Sequence, residues 1–390
     1  MIKVPVTFET ITPLFTGDEN QKMKEIKPAS IMGSLRFWFE VICDFSEMFE
    51  GDRFKNNEFD YDKYQSYIKN HPYATDEEIC DCLKLSPGAR YFGCTGWKSK
   101  IGIESVMKVD ESKISTFETK DFKNYLGLGK ITIDTGRVNQ YGPPKTSNWY
   151  PPPKYYFGGF QVAFSVSNIH IRDKILYPLL IFIQQHAFIG GKNNLGFGRI
   201  KIVDYLKTEF RLPSSLLLDL KYNDLVDDKT LPIDHINVFQ DLLAADKPDN
   251  TKGMPAEALY GIIDKIPKKI RTTSNVNIDT TYLEVLKSLL RIRLTYREQI
   301  RFDNSLILRY NSLKNKGDMR SNNEKKEYQE LSNWHRLRHC VFGSTQEKET
   351  EAAKILPLIN QDQDGRYSGY LISYAGILIM GEAKRGGQND

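Results

Sequence analysis

Six apolar segments in the first 207 residues follow the order strand, helix, strand, strand, helix, strand. Alternating apolar and polar residues predict the strands, and apolar residues that recur every three or four positions predict the helices. In chain order, the segments are 4–11, 27–45, 100–109, 160–167, 172–188 and 197–206. This order is that of a ferredoxin-like domain, an antiparallel sheet with two helices on one face, so we expect an α+β domain over residues 1–207.

Two stretches interrupt this order. Residues 50–90 are charged and rich in tyrosine, which predicts a short helical insertion. Residues 111–157 are expected to be irregular, because their prolines exclude a continuous helix or a central strand. The aromatic side chains of this stretch either stack on unpaired bases or pack against a neighbouring subunit. They are Tyr141, Trp149, Tyr150, Tyr155 and Tyr156.

The second half of the chain predicts a further α+β domain over residues 208–390, after a linker at 211–220. Apolar periodicity predicts helices and then two closing strands. The expected helices are 238–245, 256–264, 281–300 and 321–340, and the expected strands are 354–360 and 369–380.

Composition excludes several classes of protein. Lysine and arginine number 54 against 50 aspartates and glutamates, a balance that does not by itself indicate a nucleic-acid partner. The five cysteines are scattered and form no CxxC pair, which favours reduced thiols over a zinc site. No segment has the length and apolarity of a signal peptide or a membrane span. We therefore expect a soluble, cytoplasmic protein with no membrane partner, metal or cofactor.

The segment IGGKNNLGFGRI, residues 189–200, joins the second predicted helix to the last strand. Phosphate loops of nucleotide-binding folds instead follow a strand and precede a helix, so nucleotide hydrolysis is not predicted. In one interpretation, Gly190 or Gly191 ends the helix and Gly196 and Gly198 form a tight turn. In the other, the bare backbone approaches sugar-phosphate while lysine, arginine and asparagine side chains bind it.

The first predicted helix offers a comparable surface. Its segment IKPASIMGSLRFWF combines the small residues Ser30, Gly33 and Ser34 with Arg36, and Lys27 precedes the helix. This is either an ordinary surface helix with a solvated arginine or a second surface for phosphate contact.

Five motifs occur in a fixed order: TPLFTG, EIKPASIMGSLRFWFE, RYFGCTGWKSKIGI, IGGKNNLGFGRIKI and WHRLRHCVFGS. Together they resemble the RAMP superfamily of CRISPR proteins, and within it the first RAMP subunit of the type III-B Cmr module. The resemblance implies tandem ferredoxin-like (RRM-like) domains, the second degenerate and helix-rich. It also implies a non-catalytic, RNA-binding structural subunit of a crRNA-guided effector complex in antiviral defence, placed toward the 3′ end of the guide. The implied partners are crRNA and the other Cmr-module subunits, with target RNA as a further candidate.

The resemblance also implies which residues contact RNA. These are Lys27, Ser30, Gly33, Arg36, Lys98, Lys100, Gly190, Gly191, Lys192, Asn193, Asn194, Gly196, Gly198 and Arg199. This chain departs from the family pattern twice. Glu40 stands where a basic residue is common in the family. An asparagine pair stands where the loop often carries several arginines, which implies weaker binding of phosphate by the loop.

Residues 291–338 carry twelve lysines and arginines against six acids. Arg293, Arg297 and Arg301 are four residues apart and share one face of a helix, and Arg336 follows later. This segment is either a groove that tracks RNA or a solvated face that docks a neighbouring protein. For single-stranded RNA, each phosphate contact would steepen the slope of log affinity against log salt by about 0.7.

Catalytic groupings are sparse. His186 precedes the glycine-rich segment, His335 and His339 are four residues apart, and Asp18 and Glu19 lie in the first loop. None has the further ligands or partners of a metal site or an acid–base pair. We therefore expect no enzyme activity. An endoribonuclease that matures guide RNA or cleaves target RNA is the alternative, and a scaffold that binds only protein is a third interpretation.

Overall fold

The computed structural model describes residues 1–17, 23, 25–45, 59–109, 131–134, 146–149, 155–203, 260–265, 282, 285–290, 293, 304–346, 349–351, 353–362 and 365–374. The helices are α1 (Pro28–Phe45), α2 (Tyr61–Asn70), α3 (Asp76–Cys82), α4 (Pro87–Phe92), α5 (Ile169–Ile171), α6 (Tyr177–His186), α7 (Asn304–Lys316) and α8 (Asn322–Phe342). The strands of the first half are β1 (Ile2–Thr10), β2 (Ile101–Lys108), β3 (Ile131–Asp134), β4 (Thr146–Trp149), β5 (Gly159–Val166) and β6 (Ile200–Ile202). Those of the second half are β7 (Tyr260–Lys265), β8 (Ser344–Gln346), β9 (Glu349–Glu351), β10 (Ile355–Gln361) and β11 (Tyr367–Tyr374).

The first half is built on a four-stranded sheet in the order β2-β5-β1-β6. Each neighbouring pair is antiparallel, with Val6 opposite Val162 in the centre and Phe8 opposite Ile202 at the β6 edge. Along the chain, these strands and helices α1 and α6 follow the order predicted for residues 1–207. The α+β class with antiparallel sheets is confirmed.

The core of this half lies between the sheet and the helices α1 and α6. Alternate residues of β1, namely Val4, Val6 and Phe8, are buried because the strand turns every second side chain to the same face. Trp38 of α1 is also buried, and its indole donates a hydrogen bond to the carbonyl of Phe188 at 2.6 Å. Each such large side chain contributes roughly 1.5–3 kcal/mol by leaving water.

The helix predicted over 172–188 is not uniform. A π-helical segment, Arg172–Leu176, joins α5 to α6, and the amide of Tyr177 donates to the carbonyl of Arg172. Pro178 explains the irregularity, because a proline has no N–H to donate to the carbonyl four residues earlier. The predicted insertion at 50–90 is helical in its described part, where α2, α3 and α4 surround a small apolar cluster that includes Ile79 and Leu85.

Two predictions about secondary structure are wrong. Part of the helix predicted at 256–264 is instead strand β7, which pairs with β11 as the edge of the sheet β10-β11-β7. The stretch 111–157, predicted to be irregular, contains the antiparallel hairpin of β3 and β4. In both cases pairing with a second strand decides the structure. The predicted linker at 211–220 and helix at 238–245 lie outside the described residues.

Helix α8 confirms the helix predicted at 321–340, and β10 and β11 confirm the two closing strands in their described parts. No helix in the described ranges is long and apolar enough to span a membrane. Cys43, Cys80, Cys82 and Cys94 form no disulfide, and within the same ranges no three His, Cys, Asp or Glu residues gather as a metal site would require.

Candidate nucleic-acid interface

Helix α1 and the glycine-rich segment meet at one serine. The hydroxyl of Ser34 donates to the carbonyl of Ser30 at 2.9 Å and accepts from the amide of Gly190 at 2.8 Å. The next amide, that of Gly191, donates to the carbonyl of Phe15 at 2.7 Å. The two candidate surfaces from the sequence analysis are therefore one continuous surface.

Backbone crowding explains two of the glycines. Gly190 has a φ of +80°, and a Cβ there would lie 2.4 Å from the carbonyl oxygen of Phe15. Gly198 has a φ of +89°, and a Cβ would lie 2.0 Å from the carbonyl oxygen of Ile189. Only glycine tolerates both the left-handed backbone and these contacts. At these positions the glycines serve the fold. The prediction that Gly190 or Gly191 ends the helix is wrong, because α6 already ends at His186 and its C-cap Ala187 is extended.

The part of the loop that reaches the surface is residues 190–194, which we call the crest. All five crest residues are half-buried. Lys192 adopts a left-handed backbone with a φ of 64°, and Asn193–Leu195 form a single 3₁₀ turn after it. The side-chain oxygen Oδ1 of Asn193 is buried, and no group in the described ranges donates a hydrogen bond to it. The crest therefore presents one lysine and a buried acceptor beside α1.

Arg199 does not lie on this surface, so the prediction that it contacts phosphate is wrong. Its side chain is 1% exposed. The guanidinium donates to carbonyls at the C-terminal end of α6 and to two groups of β10. These acceptors are the carbonyl oxygens of Ile183, Gln184, Gln185, Ala187 and Ile359, and Oδ1 of Asn360, at 2.5–3.3 Å. Arg199 therefore caps helix α6 and ties it to the second half of the chain.

Arg293 is also buried, with 6% of its surface exposed. The prediction that it lies on an open face of a helix is therefore wrong. Its Nη1 donates to the carbonyl of Asn194 at 3.1 Å and to that of Ile355 at 3.2 Å. Gly196 and Gly198 are buried as well, and a Cβ on Gly196 would lie 3.2 Å from the carbonyl oxygen of Pro357. The C-terminal part of the loop is thus a joint between the two halves and is not accessible to RNA in this conformation.

The predicted residues of α1 lie at or near the surface. Gly33 is exposed, and a Cβ there would have nothing within 4 Å, so the helix leaves open space at this position. Lys27 and Ser30 are half-buried at the start of α1. Arg36 donates from Nε to Glu40 at 2.9 Å and from Nη1 to the carbonyl of Gly93 at 2.9 Å. Glu40, where the family often has a basic residue, therefore orients Arg36.

Lys98 and Lys100 lie at the opposite end of the sheet from the crest. They line a cavity of about 260 Å³ together with Met1, Asp76 and Trp97. Lys98 is exposed, whereas Lys100 pairs with Asp76 at 3.1 Å. Strand β1, nine residues long, separates Met1 from the loop contacts, a span of about 26 Å at about 3.3 Å per residue.

The sequence model of the RAMP superfamily matches residues 7–201, half of the chain. The chain belongs to the RAMP superfamily. A search of curated protein sequences found no match. The match to the family model includes the end of β1, the whole of α1 and the whole glycine-rich loop, and so the crest and its contacts within the first half.

Several solved structures are similar to this RAMP protein. Apo Cmr1 from Pyrococcus furiosus is 17% identical, with a TM-score of 0.34, and the alignment covers 96% of this chain and 88% of that one. Cmr6 from Pyrococcus furiosus is 12% identical, with a TM-score of 0.26 and coverages of 52% and 98%. A chain of the type III-B Cmr-beta complex bound to cognate target RNA and AMPPnP is 13% identical, with a TM-score of 0.32 and coverages of 98% and 98%.

The basic segment of the second half is only partly described. Arg297 and the side chain of Arg336 lie outside the described residues. In the hairpin of α7 and α8, Arg309 pairs with Glu327 at 2.5 Å and Lys316 pairs with Glu324 at 2.6 Å. The Lys316 ammonium and the Ser321 amide lower the pKa of Glu324 to about 2. Two of the cations of this hairpin are thus paired with its own carboxylates.

The remaining candidates of the RAMP protein do not form a catalytic grouping in the described part of the chain. His186 ends α6, with its ring 5.7 Å from that of Phe182. His339 is buried in α8. Asp18, Glu19 and the side chain of His335 lie outside the described residues, as do Tyr141, Tyr150 and the side chain of Trp149.

Tyr155 and Tyr156, predicted either to stack on bases or to pack against a neighbouring subunit, contact other residues of the first half. The ring of Tyr155 lies 6.0 Å from that of Phe197, edge to face. The ring of Tyr156 lies 6.1 Å from that of Phe160, and its hydroxyl donates to the carbonyl of Gly159 at 2.5 Å. Both rings therefore help to pack the loop and the sheet edge.

Sequence reasoning missed several groups that hold the glycine-rich loop from other parts of the chain. These are the carbonyl of Phe15, the hydroxyl of Tyr282, which lies 3.4 Å from the carbonyl of Leu195, and Asn360. Asn360 is 161 positions from its partner Arg199, so no local pattern could have indicated the pair. The motif TPLFTG, which includes Phe15, was a signal only through the family resemblance.

Proposed function

We propose that this RAMP protein is a non-catalytic, RNA-binding structural subunit of a type III-B CRISPR effector complex that acts in antiviral defence. It would hold crRNA toward the 3′ end of the guide, beside other Cmr-module subunits and target RNA. Membership of the superfamily and the five ordered motifs support the proposal. The observation that carries it is the Gly190–Ser34 hydrogen bond of 2.8 Å, which joins the helix motif and the loop motif in one surface.

This surface suits a sugar-phosphate backbone. The N-terminus of the 18-residue helix α1 carries partial positive charge, and Lys27, Ser30 and Lys192 add donors beside it. Gly33 leaves room for close approach of a strand. Contacts of this kind position RNA without reading its sequence. The crest and α1 would therefore bind guides of any sequence.

Asn193 adds a means of distinguishing RNA from DNA. Its Oδ1 is a buried acceptor without a donor in the described part of the chain, a situation that costs about 1–3 kcal/mol. A ribose 2′-hydroxyl is a donor that DNA lacks. Because this oxygen is buried in the free protein, the proposal requires the Asn193 side chain to turn outward on binding, where a 2′-hydroxyl would donate to it.

Lys98 and Lys100 form a second contact point in this proposal. Lys98 is exposed at the cavity beside Trp97, and Arg36 reaches the same region by its bond to Gly93. A strand that leaves the crest along α1 would pass Gly33 and Arg36 before it reaches Lys98. The two contact points would then bind the same RNA at separate nucleotides.

The second half, residues 208–390, would form a degenerate, helix-rich ferredoxin-like unit in tandem with the first. Its sheet β10-β11-β7 and the helical hairpin of α7 and α8 support this assignment. Arg297 and Arg336 are retained as RNA contacts of this unit. Its remaining surface would dock neighbouring subunits.

The direct test is the salt dependence of RNA affinity. Replacing Lys27 before α1 and Lys192 of the crest by alanine removes two cations from the proposed surface, so the slope of log affinity against log salt should fall by about 1.4 for single-stranded RNA. Lys69→Ala is the matched control, because Lys69 is an exposed lysine in the last turn of α2. An unchanged slope in the double variant would overturn the assignment of the crest, and shortening of the RNA by the purified protein would support the endoribonuclease instead.

A further inference from the structure

The two ends of the crest are held by different halves of the chain. At its N-terminal end, Gly190 and Gly191 are bonded to Ser34 and Phe15 of the first half. At its C-terminal end, the carbonyl of Asn194 accepts a hydrogen bond from Arg293 of the second half. The conformation of the crest therefore depends on how the second half is attached.

Arg293 contributes to this attachment by contacting both the loop and β10. Its Nη1 bridges the carbonyl of Asn194 in the loop and the carbonyl of Ile355, the first residue of β10. The side chain is 6% exposed, so water does not replace these bonds freely. A charged donor in such a site contributes more than a neutral one, because the local dielectric constant is low.

We infer that Arg293 is a positioning residue that sets the conformation of the crest from the second half of the chain, and through it the RNA affinity. The effect of Arg293 on RNA affinity rests on the function proposed above. Arg293 contacts the loop backbone and not the RNA, so its effect passes through the carbonyl of Asn194. The amide of Leu195 donates to Lys192 and that of Gly196 donates to Asn193, so the same turn orients the two crest side chains proposed to bind RNA.

The variant Arg293→Lys tests this inference because it keeps the positive charge and removes the planar guanidinium that reaches both carbonyls. Hydrogen exchange at the amides of Leu195 and Gly196 should become at least about fivefold faster, while exchange in β1 and β5 stays unchanged. RNA affinity should fall by at least about fivefold, within the range usual for coupling between two sites. The matched control is Arg172→Lys, the same change at an arginine that pairs with Asp173 away from the loop.

The outcomes separate the inference from the proposed function. Unchanged exchange at Leu195 and Gly196 would overturn the positioning role, and faster exchange with unchanged RNA affinity would overturn its link to binding. A wild-type protein that binds no RNA would refute the proposed function, while the exchange data would still decide whether Arg293 positions the crest. If circular dichroism shows that Arg293→Lys is unfolded, Arg293→Met replaces it, because methionine removes every N–H donor and leaves no charge buried at this site. The same exchange and affinity criteria then apply.

Discussion

Replacing Arg199 by methionine distinguishes a buried cap from an RNA contact. Methionine keeps the length and much of the volume of the side chain but removes every N–H donor. At least the carbonyls of Gln184, Gln185 and Ile359 would then lose a charged donor at a site that is 1% exposed. Leaving a buried acceptor without its donor typically costs about 1–3 kcal/mol, so the loss of at least three donors, together with the lost charge at the C-terminus of α6, should cost about 3–5 kcal/mol in total.

The assay is urea unfolding at several salt concentrations, followed by circular dichroism. The free energy of unfolding should fall by about 3–5 kcal/mol, and the fall should not depend strongly on salt because the site is buried. Under conditions where the variant stays folded, the salt slope of RNA affinity should equal that of the wild type. A variant within about 0.5 kcal/mol of the wild type, the usual effect of a surface substitution, would refute the buried-cap account. A slope lowered by about 0.7 would instead restore Arg199 as a phosphate contact.

Two further predictions concern exposed positions. Gly33→Ala should stabilise helix α1 by about 0.5–1 kcal/mol, because a Cβ meets nothing within 4 Å, yet it should weaken RNA binding. Thermal unfolding and a binding titration on the same variant check this, and equal RNA affinity would remove Gly33 from the interface. Ionised Glu324 stabilises the start of α8 above its unfolded pKa, near 4.3, and that contribution should disappear as the pH falls toward about 2. An NMR titration of the Glu324 carboxyl checks it, and a midpoint near 4.3 would contradict the ion pair.

The sequence predicted the first half well because each element there has its own local signal. Periodicity alone indicated β1, α1, β2 and β5, and Pro28 indicated where α1 starts. The helix predicted at 256–264 failed for the opposite reason. Residues 260–265 are a strand because they pair with β11, more than 100 positions away, and single-sequence propensity does not include such a partner.

The glycine-rich loop shows the same limit at the level of single residues. Its location between a helix and a strand could be predicted. The reason for Gly190 could not, because it is required by the carbonyl of Phe15 and not by the helix end, which lies at His186. The burial of Arg199 and Arg293 could not, because a cation beside glycines has the same local sequence whether it faces RNA or a set of carbonyls. The deciding acceptors on Ile359 and Ile355 lie 160 and 62 positions away, respectively.

The central claim, that this RAMP protein holds guide RNA in a multi-subunit effector, is tested most directly by the RNA that it carries in its native cells. A tagged wild-type copy and the Lys27→Ala, Lys192→Ala double variant would be purified from these cells, and the bound RNA sequenced. The account predicts that guide RNAs are strongly enriched over bulk cellular RNA with the wild type and depleted with the variant. Guide RNA at its bulk cellular proportion in the wild-type sample would contradict it.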